Sequence, residues 1–341
     1  MGKIQKTIYL LTLIAIVSAI FYFVYLINPS NIDYVPLYIV FLASESFVIG
    51  HSLFVWWTIL HYHNPPEVKI KNPKIKKEIL TRLKGHTVDI LIPAVSEPFE
   101  IIKETIIAAV EMEHEHNVYI LDDKGRQDLK DLAKEYGVGY FHRNSNEFFK
   151  AGNVNNALSK TSGEFVVVFD ADFVPRKDFL IKLLPHFEDP ELALLQTPQY
   201  YRDGKSFTEQ GALPIQNVFY ELVMPGKNAF NSAFCVGTNV IYRRKALDTI
   251  GGLPKISHSE DVFTSYRLHE KHWKTLYIPE VMALGLAPDT IESYFKQQRR
   301  WAGGGFSMLI EHMPLFNKNL TLDQKVQYMS SAFYMSGFAI M

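Results

Sequence analysis

The chain has 341 residues, which is enough for a domain with a conventional core and additional segments. Its formal net charge of −1 produces no overall field that would favour nucleic acid, so nucleic acid is not an expected partner. The single cysteine, Cys235, excludes an internal disulfide framework and a cysteine-based zinc site.

Two apolar stretches near the N-terminus are long enough to cross a bilayer as helices. Residues 7–27 contain no charged side chain, and residues 36–60 contain one carboxylate, Glu45. Lysines precede the first stretch and follow the second, which places both ends in the cytoplasm. We therefore expect a transmembrane hairpin over residues 1–62 in the plasma membrane, with a short external loop at 28–33.

A cleavable signal peptide is the alternative for the first stretch, because Val17-Ser18-Ala19 resembles a cleavage site. The apolar run continues well past these residues, which favours an uncut anchor. A basic cytoplasmic linker is expected over residues 63–84. A third apolar stretch begins near Tyr328, and we interpret residues 321–341 as the start of a further transmembrane helix in a longer multi-pass protein.

Between the apolar ends, short apolar strands alternate with helices. Strands are expected at 88–93, 118–121, 138–142 and 165–169, and helices at 99–114, 127–136 and 154–160. This alternation predicts a parallel, doubly wound α/β sheet in a domain over residues 85–288.

Carboxylates follow two of these strands, where the ligands of such sheets bind. Asp122 and Asp123 end the second strand, and Asp170 and Asp172 follow the fourth. Acidic residues often mark the turn after a strand, which is one interpretation. The other is that Asp170 and Asp172 face the same way and bind one hard cation. Their shared position at strand ends favours the cation.

Two further segments have both a structural and a chemical interpretation. Ser259 is a candidate helix N-cap, with Glu260 and Asp261 in the first turn, where carboxylates suit the helix dipole. Residues 289–320 begin with a basic amphipathic helix that contains QQRRW at 297–301 and would lie at the membrane surface. No dinucleotide-binding, P-loop or hydrolase-elbow motif is present.

In their order along the chain, these motifs resemble the processive family-2 glycosyltransferases, the group of cellulose, chitin and hyaluronan synthases. The family pattern is D-D, D-x-D, T/S-E-D and Q-x-x-R-W, and here it is DD at 122–123, DAD at 170–172, SED at 259–261 and QQRRW. KAGNVNNAL (150–158), QTPQYY (196–201) and FCVGTNVIYRR (234–244) also look like family segments. The resemblance is closest to the cellulose-synthase-like branch and implies a GT-A fold with flanking transmembrane helices.

The resemblance also implies roles for individual residues. Asp122 and Asp123 would contact the uridine of a UDP-sugar, Asp170 and Asp172 would hold Mg²⁺ or Mn²⁺, and Lys150 would neutralise a phosphate. Asp261 would be the general base, with Glu260 beside it in the catalytic motif. Diphosphate and acceptor sugar would be bound by Gln297, Arg300 and Trp301.

Three segments depart from the family pattern. The usual aromatic-Asn-Glu after the first strand is Val95-Ser96-Glu97 here, so Glu97 remains a candidate substrate-binding residue while a nucleotide-stacking contact is missing or is supplied elsewhere. Lys124 separates Asp123 from Gly125, and serine replaces threonine at 259. None of these departures removes a catalytic carboxylate.

The expected function is a membrane-bound inverting transferase that extends a β-linked polysaccharide, such as a cellulose-like glucan, from a UDP-sugar. The alternatives are a transferase that adds one sugar to a lipid acceptor and a synthase of N-acetylglucosamine polymers. A non-enzymatic scaffold would leave the complete set of carboxylates unexplained. The sequence does not identify the sugar, the linkage or any accessory subunit.

Overall fold

The computed structural model describes residues 3–32, 34–62, 65, 68, 70, 72–202, 207–256 and 259–340. The predicted linker over 63–84 and the segment just before Ser259 therefore lie partly outside the described residues. Helices and strands are numbered below in chain order.

The N-terminal segment is a helical hairpin. Helix α1 (Lys3–Leu26) and helix α2 (Val35–Leu60) are joined through a 3₁₀ turn at Pro29–Asn31. Both helices are long and apolar enough to cross a membrane, and most of their large apolar side chains are exposed. Glu45, the charged residue of α2, is hydrogen-bonded to Tyr22 of α1, so the hairpin supplies a polar partner for it.

Among the described residues, ten strands form two sheets. They are β1 (Val88–Ala94), β2 (Asn117–Asp122), β3 (Gly139–His142), β4 (Phe165–Val168), β5 (Val174–Pro175), β6 (Leu192–Gln196), β7 (Tyr200–Tyr201), β8 (Val240–Arg243), β9 (Lys274–Tyr277) and β10 (Ala283–Gly285). The seven-stranded sheet has the order β3-β2-β1-β4-β8-β6-β9, and a small sheet has the order β5-β10-β7.

The predicted α/β architecture is confirmed, but the large sheet is mixed rather than wholly parallel. Strands β3, β2, β1 and β4 are parallel, whereas β8 runs antiparallel to both β4 and β6. Val240 pairs with Val168 and Gln196, the last residues of their strands, so β8 begins where its neighbours end. The residues just before β8 are thereby brought to the carboxyl edge of the sheet.

Helices cover both faces of the large sheet. The remaining helices are α3 (Pro73–Leu83), α4 (Phe99–Val110), α5 (Gln127–Tyr136), α6 (Phe149–Leu158), α7 (Phe179–Leu183), α8 (Phe207–Val218), α9 (Met224–Asn228), α10 (Arg244–Thr249), α11 (Glu260–Glu270), α12 (Ile291–Glu311) and α13 (Leu322–Ile340). Helix α5 ends as predicted, because Gly137 adopts a left-handed conformation with φ 66°. Helix α4 is shorter than predicted and ends at Val110.

The hairpin is packed directly on the α/β domain. A Cβ atom at Gly226 of α9 would lie 2.2 Å from the carbonyl oxygen of Thr58, so the two backbones touch. The rings of Trp57 and Phe230 lie 4.3 Å apart between centroids. Helix α13 joins this contact, because Gln327 Nε2 donates to Thr58 Oγ1 at 2.7 Å. The end of α2 is therefore fixed to the segment that leads into β8.

Candidate active site

An open cavity of about 630 Å³ lies beyond the carboxyl ends of β1, β2 and β4. Ten of the eleven site residues expected from the sequence line it, although they come from widely separated segments of the chain. They are Glu97, Asp123, Lys150, Asp170, Asp172, Glu260, Asp261, Gln297, Arg300 and Trp301.

Asp122 is the expected site residue that does not line this cavity. Its side chain is fully buried, and its carboxylate accepts hydrogen bonds from the N–H groups of Lys124 and Arg126 and from Tyr140 Oη. These three bonds order the loop after β2, which carries Asp123. Direct contact of Asp122 with a nucleotide stays a prediction.

Asp123 forms a two-pronged ion pair with Arg143. Arg143 Nε donates to Asp123 Oδ1 at 2.6 Å and Nη2 donates to Oδ2 at 3.1 Å. Arg143 was not singled out in the sequence, because nothing in the chain between them indicates that the two residues meet. Glu97 lies nearby, where its carboxylate accepts the N–H groups of Val95 and Ser96 at 2.7 and 3.0 Å and orders the turn after β1.

Asp170 and Asp172 lie together at the end of β4, where burial, and after it the charge of Asp170, raises the pKa of Asp172 to about 7. Two carboxylates in such surroundings have the hard oxygen donors that Mg²⁺ and Mn²⁺ prefer. No group of three or more metal-binding side chains occurs among the described residues. A pair still fits, since Mg²⁺ is commonly held by one or two carboxylates together with substrate phosphates.

Lys150, on the first turn of α6, connects the acidic pair to the segment before β8. Its ammonium forms an ion pair with Asp170 and donates to the carbonyl oxygen of Gly237 at 2.7 Å. Burial lowers the pKa of Lys150, but the charges of Asp170 and Glu260 outweigh burial and the net pKa is raised. Lys150 therefore stays cationic, as a phosphate-binding group must.

Asp261 lies in the first turn of α11, on the other side of Gly237 from Lys150. Burial, and after it the charge of Glu260, raises the pKa of the Asp261 carboxyl above its usual range. Ser259 occupies the predicted N-cap position but has φ 54° and makes no side-chain capping bond. A Cβ at Gly237, which has φ 97°, would lie 3.1 Å from Asp261 Oδ2. Glycine at 237 thus allows the chain to pass between Lys150 and Asp261.

Helix α12 closes the cavity with the QQRRW motif. Gln297 Nε2 donates to Tyr201 Oη at 3.1 Å, while Arg300 and Trp301 line the same cavity. Helix α12 approaches α11 at Gly304, where an added Cβ would lie 1.8 Å from Ser259 Oγ. Glycine at this position brings Trp301 and Asp261 together.

A smaller recess of about 90 Å³ continues beyond Trp301 and Asp261. Several aromatic residues line it, including Phe219, Tyr220 and Phe234. These residues were not assigned a role from the sequence. Their shared aromatic character was visible, but their position beside Trp301 depends on the fold.

A comparison with protein families identifies the class of protein to which this chain belongs. The family model described as glycosyl transferase family group 2 matches residues 165–341, about half of the chain. The chain belongs to this family, as the resemblance in its sequence indicated.

Within the family, the chain is similar to bacterial cellulose synthases. It is 36% identical over 251 residues to a cellulose synthase catalytic subunit (UDP-forming) of Pseudomonas fluorescens, covering 71% of this chain and 34% of that protein. It is 34% identical over 253 residues to cellulose synthase 2 of Novacetimonas hansenii, covering 72% of this chain and 16% of that protein. The chain thus spans about a third of the length of the first relative and about a sixth of the length of the second.

The fold is also found in a solved structure. A mannosyltransferase from Pyrobaculum calidifontis, solved with GDP-Man and Mn²⁺, superposes with a TM-score of 0.60 at 17% identity and covers 88% of this chain and 84% of its own. This likeness confirms the GT-A fold class.

Proposed function

We propose that the chain is a membrane-bound, inverting glycosyltransferase that transfers a sugar from a UDP-sugar to the end of a growing β-linked glucan. The observation that carries the proposal is the meeting, in one cavity, of the acidic pair at β4, the cationic Lys150 and the half-buried Asp261. The UDP-forming relative supports UDP as the leaving group.

The donor diphosphate would lie between Asp170, Asp172 and Lys150. The two carboxylates would hold a divalent cation, which would supply positive charge against the phosphate oxygens. Lys150 and Arg300 add fixed positive charge where negative charge grows as the sugar–phosphate bond breaks. Asp123 and Glu97 line the part of the cavity nearest to β1 and β2, where the nucleoside would lie.

The acceptor would enter from the side of α12. Its hydroxyl attacks the anomeric carbon while UDP leaves from the opposite face, and Asp261 takes the hydroxyl proton. The raised pKa of Asp261 suits this role, because a base with a pKa near the working pH accepts a proton more readily than an ordinary carboxylate. Trp301 offers a flat apolar face to a sugar ring.

Extension of a polymer, rather than a single transfer, is favoured by the aromatic recess beyond Trp301. Its walls would hold the sugar that has just been added while the next donor binds. The membrane location rests on α1 and α2, with the cytoplasmic side assigned from the flanking lysines. Exposed apolar residues along α12, including Phe295 and Ile310, would rest on the bilayer surface.

The proposal is tested by incubating the chain in membranes with radiolabelled UDP-sugars, including UDP-glucose and UDP-N-acetylglucosamine. A long product that a β-glucanase digests is expected from UDP-glucose. Single-sugar lipid products would support the lipid-acceptor alternative, and a polymer from UDP-N-acetylglucosamine would identify the chain as a synthase of that polymer. Absence of transfer from every donor would refute the proposal.

The metal is tested separately with Asp172→Asn, which removes one charge from the pair. Transfer should be lost, and UDP binding should no longer strengthen when Mn²⁺ is added. Asp131→Asn, at an exposed aspartate of α5 outside the cavity, is the matched control and should behave like the wild type. Transfer that persists in EDTA would show that no divalent cation is required.

A further inference from the structure

Two adjacent aromatic residues at the mouth of the cavity have an uncommon backbone conformation. Phe148 and Phe149 have φ values of 57° and 44°, in the left-handed region that bulky residues rarely adopt. Their side chains are 40% and 67% exposed, and both residues line the cavity. Strained backbone of this kind persists only where surrounding contacts hold it, and such contacts concentrate at functional sites.

Arg143 makes the contacts that hold this segment. Its Nη1 donates to the carbonyl oxygen of Glu147, and its Nη2 donates to that of Phe149, both at 2.7 Å. The same Nη2 donates to Asp123 Oδ2 at 3.1 Å. One nitrogen atom therefore bridges the aromatic segment and the carboxylate expected to contact the nucleoside.

Gly152 leaves room for the hydrogen bonds from Arg143 to the carbonyl oxygens of Glu147 and Phe149, which we call the clamp. A Cβ there would lie 2.1 Å from the carbonyl oxygen of Glu147 and 2.5 Å from Arg143 Nη1. A side chain at 152 would thus displace both partners of the clamp. The glycine of the KAG segment is required by the clamp itself.

The other aromatic residues that line the cavity are engaged elsewhere. Phe173 is 2% exposed and packs under Gly285. Tyr201 is buried and its hydroxyl accepts a hydrogen bond from Gln297. Trp301 of α12 lines the cavity together with Asp261 of α11. Next to Asp123, the aliphatic Val95 follows β1. Among the aromatic residues that line the cavity, Phe148 and Phe149 therefore offer exposed surface in a segment that Arg143 joins to Asp123.

We propose that Phe148 and Phe149 form the face on which the nucleobase of the donor stacks, and that Arg143 positions this face beside Asp123. The inference rests on the proposed function and specifies how that site holds its nucleotide. Asp123 retains free lone pairs after pairing with Arg143, so it can accept an N–H group of the stacked base.

The test compares two ligands of the full 341-residue chain in detergent, both with Mn²⁺: UDP, which has a base, and inorganic pyrophosphate, which has none. The Phe148→Ala/Phe149→Ala double variant should bind UDP roughly five- to a hundredfold more weakly, the typical weight of stacking on an aromatic side chain. Its affinity for pyrophosphate should stay at the wild-type value. Phe316→Ala, at an aromatic residue that is 80% exposed outside the cavity, is the control.

Arg143→Lys keeps the charge but loses the branched guanidinium that donates to Asp123 and Phe149 together. This variant should therefore also bind UDP more weakly, while its affinity for pyrophosphate should stay unchanged. Arg176→Lys, in the Arg176–Asp178 pair outside the cavity, is its control. In turnover, both the double variant and Arg143→Lys should raise KM for the donor at unchanged kcat, because stacking acts equally on ground and transition states.

Wild-type affinity of the double variant for UDP would overturn the inference. An equal loss of UDP and pyrophosphate would overturn it as well, since it would show that the segment only places Lys150. Failure of the wild-type chain itself to bind UDP would refute the proposed function, and with it this inference.

Discussion

The close approach of α12 to α11 makes Gly304→Ala a sharp test of how the site is assembled. The added Cβ would lie 1.8 Å from Ser259 Oγ and 2.5 Å from Ser259 Cβ. Rotation of the serine side chain relieves the first contact but not the second, which is well below an ordinary carbon–carbon contact of about 3.5 Å. The helices must therefore separate by about 1 Å, a scale at which catalytic geometry suffers.

Overpacking of this size typically costs about 1–3 kcal/mol, while alanine gains up to about 1 kcal/mol over glycine in helix propensity. Gly211→Ala isolates the second effect, because Gly211 lies in α8 with nothing within 4 Å of its added Cβ. Gly304→Ala should therefore be less stable than Gly211→Ala by about 1–3 kcal/mol. It should also lose turnover, measured with a radiolabelled donor alongside thermal unfolding in detergent.

Ser259→Gly provides the rescue. It removes both clashing atoms and leaves Ser259 Cα at 3.8 Å, an ordinary contact. Glycine also suits φ 54°, and no capping bond is lost. The double variant Gly304→Ala/Ser259→Gly should regain most of the stability and turnover. If it is no better than Gly304→Ala alone, the steric reasoning is wrong.

Three further predictions concern the base and the membrane. Asp261→Asn should bind UDP-sugar normally but lose about a hundredfold or more in turnover, the usual contribution of a general base. If Asp261→Asn keeps wild-type turnover while Glu260→Gln is inactive, the base is Glu260 instead. Because Asp261 must be ionised to accept a proton and burial raises its pKa, kcat/KM at saturating Mn²⁺ should fall with decreasing pH well above the ordinary carboxyl value of about 4. If kcat/KM falls only near pH 4, the assignment of Asp261 as the base is contradicted. A cysteine at Ser30 should be labelled from outside the cell and one at Lys74 should not, whereas the opposite labelling would reverse the topology.

Local patterns were sufficient to predict the parallel half of the sheet and most of the residues that meet in the cavity. Strands β1, β2 and β4 are short apolar runs that end on polar residues, and ligands of such sheets bind beyond those ends. Asp123 and Asp170 could therefore be placed at one edge without knowing any contact. The order of the motifs along the chain then supplied Asp261 and Trp301.

Contacts between distant segments could not be predicted in this way. The antiparallel direction of β8 depends on where α8 and α9 return the chain, and this direction places Gly237 in the site. The pair of Arg143 with Asp123 and the left-handed Phe148 also depend on tertiary packing rather than on residue preference. Each departs from what its local sequence favours, which is common at functional sites.

In the proposed membrane-bound enzyme, the backbone contact between Gly226 and Thr58 would link the cavity to the thickness of the surrounding bilayer. A helix longer or shorter than the local hydrocarbon layer changes its tilt. Because the backbone of α9 touches that of α2 at Gly226, a change in the tilt of α2 would be passed to α9 and onward to Gly237, between Lys150 and Asp261. In the proposed membrane-bound enzyme, lipid acyl-chain length would therefore act on the distance between Lys150 and Asp261, and the membrane would be a structural component of the active site.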